Sequence, residues 1–224
     1  MAKKKDPPDA PVEKDPPEPP AKPQTMVQRF ISQFGGIIVA ALVVLSARAS
    51  LADHYYVPSG SMLPTVQIGD RIIVDKRAFG LRFPGSSWYL LEYENPLRGD
   101  VVVLSSPEDG RVLLKRIVGL PGDTLEVREG KIFVDDKQFP VFAKGSGLLE
   151  DLDGHEHLIS LALGGGRDWG PEKLPDRMYL VMGDNRGDSR DGRFFGLVPR
   201  DVLLGRAIRM YLHADEWVWQ PLEP

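Results

Sequence analysis

The stretch Thr124-Leu125-Glu126-Val127-Arg128-Glu129-Gly130-Lys131-Ile132-Phe133-Val134 decides the fold class. Both arms alternate in polarity, and a period of two sends successive side chains to opposite faces of an extended chain. Glu129-Gly130 between them supplies a glycine for a tight turn. The stretch predicts a β-hairpin. Working outward, Arg71-Ile72-Ile73-Val74-Asp75, Val101-Val102-Val103-Leu104, the run from Arg111 to Val118, and Met178-Tyr179-Leu180-Val181-Met182 have the same character. Each is short, rich in β-branched residues and bounded by Gly, Pro or Asp. The expected fold is mostly β, an antiparallel sheet domain over residues 51–224. Residues 139–175 are the least regular part, with scattered charge and Gly164-Gly165-Gly166. They predict a small subdomain inserted at about 131–176. The glycine run is no phosphate loop, because no Lys-Ser/Thr pair follows it.

The N-terminal part has a different composition. Residues 1–25 mix Lys, Asp, Glu and many prolines, as in Asp15-Pro16-Pro17-Glu18-Pro19-Pro20, and predict a disordered tail. Between Arg29 and Arg48 no residue is charged. A helix across that gap is about 27 Å long, just short of a ~30 Å hydrocarbon layer, and its flanking arginines can snorkel. Residues 26–50 therefore predict one transmembrane helix. Lys3, Lys4, Lys5, Lys14, Lys22 and Arg29 precede it and only Arg48 follows closely, which predicts a cytoplasmic N-terminus. A buried core helix is the competing reading. A removable signal is another, since Ala47-Arg48-Ala49 has a small-x-small form.

The 224 residues carry a net charge of −4 and no cysteine, which excludes a thiol nucleophile and disulfides. Near-balanced charge argues against a nucleic-acid partner. His155-Glu156-His157 lacks helical metal-ligand spacing and a third ligand, so it reads as a solvated loop, and neither a metal nor a cofactor is expected. Trp217 and Trp219 suit either a membrane interface or core packing.

Chemistry concentrates in Pro58-Ser59-Gly60-Ser61-Met62-Leu63-Pro64-Thr65. Prolines stiffen it on both sides and Gly60 permits close backbone approach, so hydroxyls are presented on a preshaped segment. A polar turn is the plain alternative. A serine hydroxyl needs a base to become nucleophilic. His54, His155, His157 and His213 lie outside every motif block, whereas Lys115 sits among apolar residues in Val112-Leu113-Leu114-Lys115-Arg116-Ile117-Val118. Burial lowers a lysine's pKa from its usual ~10.4 by up to ~3–5 units, which makes it a candidate base. A strand-edge lysine facing solvent is the other reading.

Four blocks occur in order: the serine stretch with Gly69-Asp70, Gly99-Asp100-Val101-Val102-Val103, Leu114 to Asp123, and Met182-Gly183-Asp184-Asn185-Arg186-Gly187-Asp188-Ser189. From about Tyr56 to Ala207 the chain resembles the type I signal peptidases, membrane-bound serine proteases with a Ser–Lys dyad. The resemblance implies Ser61 as nucleophile and Lys115 as general base. It implies an oxyanion hole from the Ser59 hydroxyl and the Ser61 N–H, and Ser189 as the residue that orients the lysine. Arg116, Asp184, Asp191 and Arg193 match charged positions that brace the site, and Gly192 stands where many relatives carry serine. It further implies exported preproteins as substrates, cut after small residues in an Ala-x-Ala pattern, and a bilayer as the working surface. Met62 and Val66 after the nucleophile, with Leu113 and Leu114 before the base, are the expected groove walls. A peptidase that matures one pilin-type substrate is a neighbouring reading, and a catalytically inactive membrane-anchored binding module is a more distant one. A self-cleaving Ser–Lys repressor shares the dyad, but the proline-rich tail and apolar segment leave no room for its DNA-binding domain.

Overall fold

The computed structural model describes residues 33–40, 52–82, 89–145 and 147–222. The strands in chain order are β1 (Ala52–Tyr56), β2 (Arg71–Asp75), β3 (Gly80–Arg82), β4 (Tyr89–Glu92), β5 (Val101–Ser105) and β6 (Val112–Gly119). They continue as β7 (Thr124–Arg128), β8 (Lys131–Val134), β9 (Lys137–Gln138), β10 (Val141–Lys144), β11 (Gly147–Leu152) and β12 (His155–Ile159). The last are β13 (Trp169–Lys173), β14 (Met178–Met182), β15 (Val198–Pro199), β16 (Leu203–His213) and β17 (Glu216–Pro221). Residues 33–40 are helical, and no helix among the described residues is long and apolar enough to cross a membrane. The expected tail and most of the expected 26–50 span lie outside the described residues.

The main sheet runs β1-β2-β16-β5-β6-β14-β15, with β17 also on β16. Its centre is β5, where Val101 to Leu104 are all buried. Alternation sends Val101 and Val103 into one core cluster with Val57, Met62 and Ile72, and Val102 and Leu104 into another with Phe79 and Ile117. A strand apolar on both faces needs cover on both, and here each face has its own layer. Register shifts along β16 bend this long strand across three neighbours.

The expected hairpin is β7 and β8, with Glu129 at φ 50° and Gly130 at φ 76°. Both turn residues are left-handed, the turn whose twist matches the strands it joins. The same device closes β8–β9 at Asp135-Asp136, β11–β12 at Asp153-Gly154 and β16–β17 at Ala214-Asp215. Residues 139–175 are consequently more regular than expected. They contain the sheet β10-β11-β12, and β13 joins β7, β8 and β9 in a second sheet. Because β7 belongs to that sheet, it begins at Thr124, ahead of residue 131. His155-Glu156-His157 is no solvated loop either. It lies in β12, where His157 shares a face with buried Ile159 and is itself 8% exposed.

Candidate active site

Ser59 is extended, and the chain then tightens into a single 3₁₀ turn over Gly60–Met62, closed by the Leu63 N–H donating to the Gly60 carbonyl at 3.1 Å. The turn sits at the end of β14. That strand pairs with β6 only from Arg116 to Gly119, so Val112 to Lys115 have β5 on one edge and no strand of the described residues on the other. Ser61 occupies this gap, and Lys115 Nζ lies 2.6 Å from its Oγ. Ser59 Oγ is 3.5 Å from the same atom.

Lys115 is 3% exposed, which removes the solvent-facing reading. Burial pushes its pKa down to about 8; Asp191 and Asp184 oppose the shift and Arg193 reinforces it. Among the described residues no carboxylate touches the amine. It is therefore buried, accessible to the hydroxyl and close to neutrality at mildly alkaline pH.

Behind the dyad, buried arginines are treated in the opposite way. Arg116 grips Asp184 with two bonds of 2.9 and 2.8 Å and donates to the Gly99 carbonyl at 2.7 Å. Asp184 also accepts the Thr65 hydroxyl at 2.6 Å, four residues past the nucleophile. Burial raises the Asp184 pKa, but the Arg116 guanidinium outweighs it and holds the carboxyl at about 2. Arg193 binds Asp191 with Nε and Nη2, both at 2.8 Å, and Asp191 accepts the Gly183 N–H at 3.0 Å. Arg186 pairs with Glu150 and reaches the Gly130 carbonyl. Burial raises the Glu150 pKa too, and Arg186 overrides it to about 2. His157 Nε2 lies 3.3 Å from Glu150 and 3.9 Å from Asp184, and burial lowers its pKa. Glu150 and His157 lie outside every sequence block singled out above, and Arg186, inside the last of them, carried no expected role in this layer.

The glycine run belongs here as well. A Cβ on Gly165 would lie 2.0 Å from the Glu129 carbonyl carbon, and one on Gly166 2.4 Å from the Arg186 carbonyl oxygen. Bare backbone lets the segment approach close enough for Arg193 to donate to the Gly165 carbonyl at 2.6 Å. Gly192 is buried, and a Cβ there would lie 2.7 Å from Leu180.

Ser189 is buried beside Gly183, whose missing Cβ would sit 2.3 Å from Ser189 Oγ. That hydroxyl has no hydrogen-bond partner among the described residues, so the bond to Lys115 implied by the resemblance is not made in this conformation. An apolar cleft of about 70 Å³ opens at Ser61 and Lys115 and is walled by Val57, Met62, Ile72, Val103, Leu113 and Leu114. Val66 corrects an expectation: it is fully buried in the core with Met62 and does not line the cleft. Two residues past Gly183 and four before Ser189, the loop residue Asn185 donates its backbone N–H to the Ser61 carbonyl at 3.1 Å. Asn185 lies in the Met182 to Ser189 block, where the resemblance assigns it no role.

The family model for signal peptidase, peptidase S26, matches residues 30–212. The chain belongs to this family. Signal peptidase I of Leptolyngbya laminosa is 31% identical, covering 89% of this chain and 89% of its own length. Signal peptidase I of Pseudomonas fluorescens is 33% identical over 78% of this chain and 69% of its own. Signal peptidase I P of Bacillus subtilis subsp. natto is 33% identical over 87% and 91%. Membership in the signal peptidase family makes this chain a serine endopeptidase that removes signal peptides.

Proposed function

We propose that Ser61 is the nucleophile and Lys115 the general base of this signal peptidase. The observation that carries the reading is a 2.6 Å Ser61–Lys115 contact with the lysine buried and its pKa pushed down to about 8. The neutral amine takes the Ser61 proton as Oγ attacks the scissile carbonyl, and returns it to the departing amine. The Ser59 hydroxyl and the Ser61 N–H stabilise the negative oxygen. Lys115 then activates the water that releases the acyl group from Ser61. The substrate lies extended along the unpaired edge of Val112 to Lys115, adding a strand to the sheet. Alternation turns its −1 and −3 side chains toward the apolar cleft and −2 away, which favours the Ala-x-Ala pattern of exported preproteins.

The working location follows from the N-terminal composition and two exposed indoles. Residues 26–50 anchor the enzyme with its N-terminus in the cytoplasm and the catalytic domain on the far side. Trp217 and Trp219 are 81% and 66% exposed, with the Arg209 guanidinium 5.6 Å from the Trp219 ring, a combination suited to a lipid headgroup region. Incubation of the purified protein with a preprotein, followed by mass mapping of the cut, tests the activity. Cleavage should follow a small residue, and the rate should climb through an apparent pKa near that of Lys115, about 8. A rate that is flat between pH 6 and about 9 would remove Lys115 as base.

A further inference from the structure

Asn185 stands between two anchored neighbours. Asp184 is held by Arg116, and Arg186 by Glu150. Ser160, just past β12, brackets the same loop: its N–H donates to the Asp184 carbonyl at 2.9 Å, and its carbonyl accepts the Arg186 N–H at 3.0 Å. Asn185 is thereby fixed from both sides, and it makes two contacts with the nucleophile turn. Its backbone N–H donates to the Ser61 carbonyl at 3.1 Å, and its side-chain Nδ2 donates to the Gly60 carbonyl at 3.1 Å.

The second contact bears on catalysis through peptide geometry. The Gly60 carbonyl and the Ser61 N–H belong to one planar peptide unit, whose C=O and N–H bonds point in opposite directions so that their dipoles add. The Gly60 oxygen is held from within the turn by the Leu63 N–H at 3.1 Å and from across the site by Asn185, and together these two bonds set the direction of the Ser61 N–H. A hydrogen bond to that oxygen also polarises the N–H at the other end of the unit. The amide orientation follows from its partner, since a carbonyl can only accept, and Oδ1 is left buried without a hydrogen-bond partner among the described residues. A side chain that leaves one polar atom unsatisfied in order to donate with the other is poorly explained by packing alone.

We propose that Asn185 is a positioning residue that aims the Ser61 N–H at the oxyanion of the scissile carbonyl. This rests on Ser61 being the nucleophile. A Ser61→Ala control separates the two ideas: cleavage surviving in that variant would overturn the reading of the site, and this inference with it. With Ser61 shown to be required, kinetics of Asn185→Ala and Asn185→Asp are compared on the alkaline plateau, where Lys115 is neutral. Asn185→Ala should lose about ten- to a hundredfold in kcat with KM changed little. Asn185→Asp should fall below Asn185→Ala, because a carboxylate oxygen then faces the Gly60 carbonyl. A residue that merely fills space gives the reverse order, since Asp is the closer match in shape; that order, or wild-type kcat in both variants, would overturn the proposal. Should neither variant fold, the wild-type enzyme decides. The Asn185 side-chain amide protons should exchange slowly and shift on acylation of Ser61 by a serine-directed acylating reagent. Exchange at the rate of a free amide, with no shift, would overturn it.

Discussion

Lys115 and Arg116 are consecutive, each 3% exposed, and they meet opposite electrostatic fates. Strand alternation parts their side chains. Arg116 finds Asp184 in two-pronged contact and keeps its charge; Lys115 finds a hydroxyl and an apolar cleft, and loses part of its hold on a proton. Burial is thus not what makes a base. Burial without a contacting counter-charge does that, and burial with one makes a brace. Asp184 and Asp191 act on both sides of this boundary, since they raise the Lys115 pKa from a distance while neutralising Arg116 and Arg193 directly.

Removing either half of the dyad should break the comparison most severely. Ser61→Ala and Lys115→Ala should each lower kcat/KM by ~10⁴-fold or more, and the double variant should add little, because the pair acts as a unit. Lys115→Arg should not restore activity, since a guanidinium stays protonated. Preprotein cleavage at pH 9 checks all four, and full turnover in Lys115→Ala would sink the assignment.

The brace should reveal itself in stability. Arg116→Ala leaves Asp184 charged and buried, which should cost about 3–5 kcal/mol in urea unfolding. Arg116→Met combined with Asp184→Leu should recover much of that loss, because no charge is left stranded. The sign with pH follows from depressed carboxyl pKa values: the stabilisation is present above the ordinary carboxyl range and lost as pH falls toward about 2. Equal stability of Arg116→Ala and wild type at pH 7 would show that the pair braces nothing.

The two regions also differed in how well the sequence announced them. Ser61 and Lys115 could be read from ordered motifs, and the β7–β8 hairpin from its alternation. The resemblance names Arg116, Asp184, Asp191 and Arg193 without saying which pairs with which, and it leaves out Glu150: Arg116 and Asp184 are 68 residues apart and Glu150 and Arg186 are 36 apart, with no local pattern that joins them. Other misses had a signal. Asp153-Gly154 is a strong hairpin turn inside a segment read as irregular, and it fixes β11 and β12. Period two across β12 would have put His157 on the same face as Ile159. Val66 was placed on the cleft by its distance from Ser61, but the 3₁₀ turn and the chain after it carry its side chain into the core.

A sharper form of the comparison asks what the fold loses by burying Lys115. Its folded pKa is about 8 against the usual 10.5, so below about 8 the native state carries a charge that burial disfavours. Above about 10.5 the amine is neutral folded or unfolded, and the penalty is gone. Lys115→Met keeps the length without the charge. It should be more stable than wild type at pH 7 by up to about 3 kcal/mol, a gain that vanishes as pH rises from 8 to about 10.5. Thermal unfolding across that range checks it, and a destabilised Lys115→Met at pH 7 would mean that the fold depends on the amine.

The smallest expected effect separates catalysis from stability at Ser189. Its hydroxyl is buried with no hydrogen-bond partner among the described residues, so Ser189→Ala removes no bond seen in the fold. An unsatisfied buried hydroxyl carries a desolvation cost of about 1–3 kcal/mol, which places the melting temperature of the variant at or slightly above that of wild type. Activity should move the other way. A Cβ on Gly183 would meet both Ser189 Oγ and the Ser61 carbonyl, so the hydroxyl lies against the nucleophile turn, and the orienting role expected of it predicts that it engages Lys115 during turnover. Without it, the lysine is free to adopt unproductive rotamers, and kcat should fall about tenfold, or ~1.4 kcal/mol of barrier. Ser189→Thr keeps the hydroxyl but adds a methyl where Gly183 already leaves no room, so it should fare worse than Ala in stability. A tenfold loss of rate in Ser189→Ala accompanied by an equal loss of stability would make Ser189 a packing residue, and would leave Lys115 oriented by burial alone.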